Sequence, residues 1–177
     1  MKSASLPPRS SSRPALLRAA AALLADGKVP TIGAVATLAG VTKGAVQHHF
    51  PNREALISAV GTDLLFWFNE LTTPEGLPCS PHVAARRYVD ASLDFNDAPS
   101  SRALLVACAT EPTVAEMWKR WLGEQRLPST ERDTEMRLLV ARLAADGLWL
   151  SDALGMYDID GKMREAIRTE LHRIIGG

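Results

Sequence analysis

Apolar residues recur at three- and four-residue spacing through most of this chain, and prolines and glycines cut that pattern into about nine helices. Pro14 opens the first, where a missing N–H is no loss, and Leu17, Ala20, Ala21 and Leu24 form its inner stripe up to Asp26-Gly27. In the next run Thr31 is placed to cap a helix whose buried side is Val35, Leu38 and Ala39. Gly40 stops that helix by entering the left-handed region, and Val41 folds back on it. Thr42 caps a third helix with two distinct faces. Val46, His49 and Phe50 lie on the apolar one, while Lys43, Gly44, Gln47 and His48 lie on the other.

Pro51 breaks this helix and Asn52 caps a fourth, which runs to about residue 71. It carries Leu56, Val60, Leu64, Trp67 and Leu71 on one side and Ile57, Leu65 and Phe68 beside them. So apolar a helix is expected to be a buried connector, its first half closing the front domain and its second half entering the next. Residues 72–81, with Pro74, Gly76, Pro78 and Pro81, form the clearest break in the chain.

Helices are then expected near residues 82–96 (Ala84, Tyr88, Ala91, Phe95), 101–109 (Leu104, Leu105, Cys108) and 111–126 (Val114, Met117, Trp118, Trp121), punctuated by Pro99 and Pro112. From residue 130 one apolar phase runs through Met136, Leu139, Val140, Leu143, Gly147, Leu150 and Leu154. It predicts a single long helix across Asp146-Gly147, with a glycine on the buried seam that permits close approach of a partner helix. The last helix, near residues 160–175, carries Met163, Ile167, Leu171 and Ile174.

Length and composition place the chain among globular proteins: 177 residues, 46% of them hydrophobic, suffice for one domain or two small ones sharing a helix. Residues 1–12 are rich in Ser and Pro, a loose arm whose Arg9, with Arg13 just after it, is within reach of a nucleic acid backbone. Neither a stretch of 18 apolar residues nor a secretory leader is seen, so no membrane is implied and the cytoplasm is the expected location. Cys79 and Cys108 are too few and too far apart for a metal site and give thin support for a disulfide.

The formal charge is zero overall but divided along the chain. Residues 1–60 hold seven basic side chains (Lys2, Arg9, Arg13, Arg18, Lys28, Lys43, Arg53) and two acidic ones (Asp26, Glu54). The remainder holds 13 basic and 18 acidic residues. A basic head on an acidic body suits attraction to phosphate at one end only.

That end also carries a surface with chemistry. A helix of about two turns is not stable alone in water, so Val46 and Phe50 must be anchored, which leaves the opposite face free. That face is nearly free of acid and fits a DNA major groove. Gly44 and Ala45 allow close backbone approach, Lys43 reaches phosphate or guanine, and Gln47 offers a paired donor and acceptor to an adenine edge. Arg53, at the start of the next helix, can hold a phosphate together with first-turn N–H groups.

The run GVTKGAVQHHFPNREAL, residues 40–56, resembles the signature of the TetR family of transcriptional regulators: Gly-Val, a small hydroxyl residue, a short helix ending in His-Phe, a Pro break, then a basic residue, Glu and Leu. The resemblance implies an all-α protein, with a three-helix helix-turn-helix domain (residues 13–58) joined by a connector helix to a C-terminal ligand-binding and dimerisation domain (residues 59–177). It implies double-stranded operator DNA as partner, contacted by Thr31, Thr42, Lys43, Gly44, Ala45, Gln47, His48 and Arg53, and repression relieved by a small molecule. It also implies a homodimer formed by the last two helices, with no cofactor.

An aromatic and sulfur-bearing supply in the body, Trp67, Phe68, Tyr88, Phe95, Met117, Trp118 and Trp121, is a candidate lining for an apolar effector. Core packing is the competing role for each. An enzyme is not indicated. His48 and His49 point about 100° apart on a helix and do not converge on one metal, and no phosphate loop, nucleophile elbow or metal-binding motif is present. A helix-turn-helix protein that acts without a ligand or docks on protein partners stays open as the alternative.

Overall fold

In the computed structural model, which describes residues 12–72, 80–94, 99–125 and 131–176, nine helices carry all the regular structure of the described residues. They are α1 (Arg13–Ala25), α2 (Ile32–Ala39), α3 (Lys43–His49), α4 (Arg53–Thr72), α5 (Pro81–Asp94), α6 (Pro99–Thr110), α7 (Pro112–Glu124), α8 (Arg132–Leu154) and α9 (Gly161–Ile175). The expected arm, the break after α4, Phe95 and Cys79 lie outside the described residues.

Local chemistry accounts for the helix ends. Thr31 Oγ1 accepts from the Ala34 amide at 3.1 Å, and Thr42 Oγ1 from the Ala45 amide at 3.2 Å. Asn52 Oδ1 does the same for Ala55 at 2.8 Å, and Asp160 Oδ1 for Met163 at 2.7 Å. Each satisfies one of the amides a helix start leaves free. Gly40 adopts φ 68°, and the Val41 amide then donates to the Ala36 carbonyl at 2.9 Å, closing α2 in a left-handed cap.

Two apolar cores hold the helices together. The larger joins α1–α4 to α6 and α7, and also takes in Tyr88 and Ala91 of α5. The smaller joins α5, α8 and α9 through Val89, Leu93, Leu138, Ala141, Ala145, Leu148, Leu171 and Ile175. Helix α1 is buried on two sides, with Leu16, Ala19 and Leu23 covered as well as Leu17, Ala20 and Leu24. Its most extensive partner is α6, not the helices of the front domain.

Three expectations are corrected. Leu38 is 52% exposed, because the inner face of α2 is centred on Val35 and Ala36, with Ile32 and Ala39 beside them. On α4 the apolar stripe is wider than the helices that cover it. Leu56, Ile57, Val60, Leu64, Leu65 and Phe68 are buried, but Trp67 and Leu71 turn outward with Phe66. Gly147 is exposed, and nothing beyond its own helix comes within 4 Å of where a Cβ would be, so it lies on no buried seam of this chain.

The long helix does cross Asp146-Gly147. Asp146 is occupied by the Tyr88 hydroxyl, which donates to it at 2.5 Å, so its side chain is not free to form a local turn. The inward face of α8 is Thr134, Leu138, Ala141, Ala145, Leu148 and Ser151. The stripe of Met136, Leu139, Val140, Leu143, Leu150 and Leu154 is on the outside. None of the described helices is long and apolar enough to cross a membrane.

Candidate nucleic-acid interface

The turn between α2 and α3 sets α3 on the surface by its inner side alone. Val46 is fully buried and Phe50 nearly so, in the core made with α1 and α4. The opposite face is open: Thr42, Lys43, Gly44, Gln47 and His48 are all exposed, and Ala45 is half-buried beside them. Thr31 is exposed at the start of α2. The structure therefore brings these seven residues to one surface.

Lys43 takes a specific path on that surface. A Cβ on Gly33 would meet Lys43 Cε at 3.1 Å, so the lysine stem lies across α2 where glycine leaves room. Thr31 Oγ1 is beside the same point, at 3.9 Å. The Lys43 ammonium and the first-turn amides of α2 thus sit together, an arrangement that suits a phosphate more than a base edge. This placement was not legible in the sequence, where Gly33 carries no signal. Replacing Thr42 by alanine is expected to cost about 1 kcal/mol, the usual cost of a lost N-cap, measurable by urea unfolding.

Arg53 is placed differently. It is the first residue of α4, but its guanidinium Nη2 is paired with Glu111 Oε1 at the start of α7, and its side chain is 34% exposed. Sequence reasoning did not name Glu111 as a site residue; its side chain is only 11% exposed.

In the body, five of the seven aromatic and sulfur candidates meet. Phe68, Tyr88, Met117, Trp118 and Trp121 lie together, with Trp118 stacked on Trp121 at 5.1 Å and Phe68 edge-on to Trp121 at 5.2 Å. Trp149 joins them at 6.1 Å from Trp118, a member that sequence reasoning did not name. Trp67 stays outside the group, 58% exposed.

Polar groups border the cluster. Trp121 Nε1 donates to Asn69 Oδ1 at 3.0 Å, and the Arg142 guanidinium lies 4.8 Å above the Tyr88 ring. Burial raises the Asp146 carboxyl pKa, against the lowering by the Tyr88 hydrogen bond and the Arg142 charge. Burial and the neighbouring Asp146 hold the Tyr88 hydroxyl protonated far above its ordinary range. Burial also pushes the Cys108 thiol up to about 11. Among the described residues no group of three or more His, Cys, Asp or Glu side chains gathers as a metal site would.

Comparison with known proteins agrees with this geometry. The family model for bacterial regulatory proteins of the tetR family matches residues 16–60, and that for the tetracyclin repressor-like C-terminal domain matches residues 83–176. Comparison with curated proteins found no match. Solved structures share the fold. A transcriptional regulator from Rhodococcus sp. Rha1 superposes with a TM-score of 0.64 at 24% identity, over 93% of this chain and 95% of that one. A TetR-like transcriptional regulator from Rhodococcus sp. RHA1 gives 0.69 at 19% identity, over 97% and 96%. The TetR family regulator PfmR from Thermus thermophilus gives 0.57 at 16% identity, over 95% and 97%. With both family models matched in order and a helix-turn-helix at its front, the chain belongs to the TetR family of transcriptional regulators.

Proposed function

We propose that the protein is a homodimeric repressor whose two α3 helices enter successive major grooves of a near-palindromic operator, about 34 Å apart. The observation that carries this reading is the two-sided α3: its inner side chains are buried, and Lys43, Gln47 and His48 are exposed with no acid on their helix. Thr42, Gly44, Ala45, Gln47 and His48 face the bases in this reading, and Thr31, Lys43 and Arg53 hold the backbone. The front domain spans residues 13–58 and the ligand-binding and dimerisation domain residues 59–177. Selection of bound duplexes from a random pool tests it: two inverted half-sites one helical turn apart are expected, and enrichment of no sequence would refute it.

The dimer forms through α8 and α9. Supporting this are the outward Met136, Leu139, Val140, Leu143, Leu150 and Leu154 of α8, with Met163 of α9, an apolar patch of the kind that marks an interface. Leu143→Glu is expected to give a monomer by analytical ultracentrifugation and to abolish binding to a two-half-site operator. A dimer unchanged by Leu143→Glu and Leu139→Glu together would place the interface elsewhere.

An apolar effector binding among Phe68, Tyr88, Met117, Trp118 and Trp121 releases the operator, by favouring a state in which the two heads no longer match its spacing. The rings pack on one another, so an effector binding between them must part them. That same packing favours the second reading, a regulator that acts without a ligand. Titration of a small-molecule library against the protein–operator complex separates the two.

A further inference from the structure

Arg53 is a cation at the positive end of a helix, a position that repels it and makes an anionic partner valuable. In the structure that partner is Glu111. Glu111 is the N-cap residue of α7, yet its side chain makes no cap hydrogen bond; the carboxylate turns to Arg53 and leaves the α7 amides. The pair thus takes a carboxylate away from its nearest local donors and commits it across 58 residues of sequence.

The two helices that hold the pair are pressed together along their length. Gly61 of α4 faces α7 so closely that a Cβ would meet Val114 Cγ2 at 3.0 Å and Met117 Sδ at 3.3 Å. Two turns further on, Phe68 and Asn69 of α4 meet Trp118 and Trp121 of α7. One continuous seam therefore runs from the aromatic cluster to the cation beside α3.

We propose that Glu111 is an intramolecular competitor for the cation that the front domain offers to DNA phosphate, so that the Arg53–Glu111 pair weakens an Arg53–phosphate contact. The inference rests on the DNA-binding reading above. Arg53 Nη2 is committed to a carboxylate on α7, which offsets the guanidinium charge and holds it toward the body, so a phosphate meets a weakened partner until the pair opens. Whatever shifts α7 along the seam moves the carboxylate and sets how readily Arg53 is released.

The test is binding of the full-length protein to a selected operator duplex, by fluorescence anisotropy at several salt concentrations, with unfolding curves for every variant. Glu111→Asp keeps the charge and the capping ability but withdraws the carboxylate by one methylene; Glu111→Gln removes the charge. Each is expected to tighten operator binding about tenfold, within the usual range of coupling between sites. Glu116→Gln, an exposed α7 acid, controls for net charge and is expected to change affinity less than about twofold. In an Arg53→Ala background the gain from Glu111→Asp is expected to vanish, since the competitor then has nothing to withhold. Should Glu111→Gln fail to fold, Glu111→Asp carries the comparison alone. Wild-type affinity for the folded Glu111 variants, or a gain that persists without Arg53, would overturn the proposal while the DNA-binding reading stands. A wild-type protein that binds no duplex would overturn both.

Discussion

Phe50→Ala is expected to destabilise the protein by about 3–5 kcal/mol, the range for truncating a buried aromatic side chain. Phe50 is 2% exposed and closes the floor of the helix-turn-helix, between α3 and the helices on either side of it in the core. The Arg13 guanidinium lies 5.5 Å from its ring centroid, so truncation removes a cation–π contact as well as apolar area. Against a typical stability of about 5–15 kcal/mol, the loss is a large share of the whole. Helix α3 has seven residues and no means of persisting alone, so it should loosen before the body does. Urea unfolding gives the global loss, and operator binding should fall by more than the unfolded fraction explains. Phe50→Leu, which keeps most of the volume, is expected to cost less than Phe50→Ala. A loss below about 1 kcal/mol for Phe50→Ala would mean that the α3 floor is not held as described.

The second large effect concerns the outer side of the same helix. Gln47→Ala should leave the unfolding curve within about 0.5 kcal/mol of the parent, because an exposed side chain away from caps contributes little to stability. Operator affinity should nevertheless fall by about 1–3 kcal/mol, with relaxed discrimination at one base pair per half-site. Lys43→Ala is expected to behave differently. Its ammonium lies over the start of α2 beside Thr31, so its loss should weaken all duplexes alike and reduce the salt dependence by about one ion per head. Equal loss on specific and random duplexes for Gln47→Ala would remove it from the base-reading set.

Much of the front domain was legible in the sequence because its signals are local. A capping hydroxyl at Thr31 and Thr42, a glycine at Gly40 and a proline at Pro51 act within a turn of themselves, and they fix where α2 and α3 start and stop. The phase of Val46 and Phe50 then decides which side of α3 is free. What escaped was set by contacts across the fold. The second buried side of α1 exists because α6 covers it, and nothing within α1 announces α6. Leu38, Trp67 and Leu71 share the period of buried neighbours yet face out, since the helices that would have to cover them lie elsewhere in the fold.

Glu111 escaped for the same reason. Between two helices it reads as a surface acid, and only the packing of α4 on α7 brings Arg53 to it. Trp149 likewise joins the aromatic cluster because α8 packs on α6 there, with its indole N–H donating to Ser101 of α6.

The most direct measurement is the pattern of backbone amide shifts that a selected operator duplex produces in the NMR spectrum of the full-length protein. Large changes are expected at residues 42–48 and at the first turn of α2, with the buried Val46 side chain keeping its contacts. An operator that shifts residues of α5, α8 or α9 and leaves residues 42–48 untouched would contradict the placement of α3 in the groove.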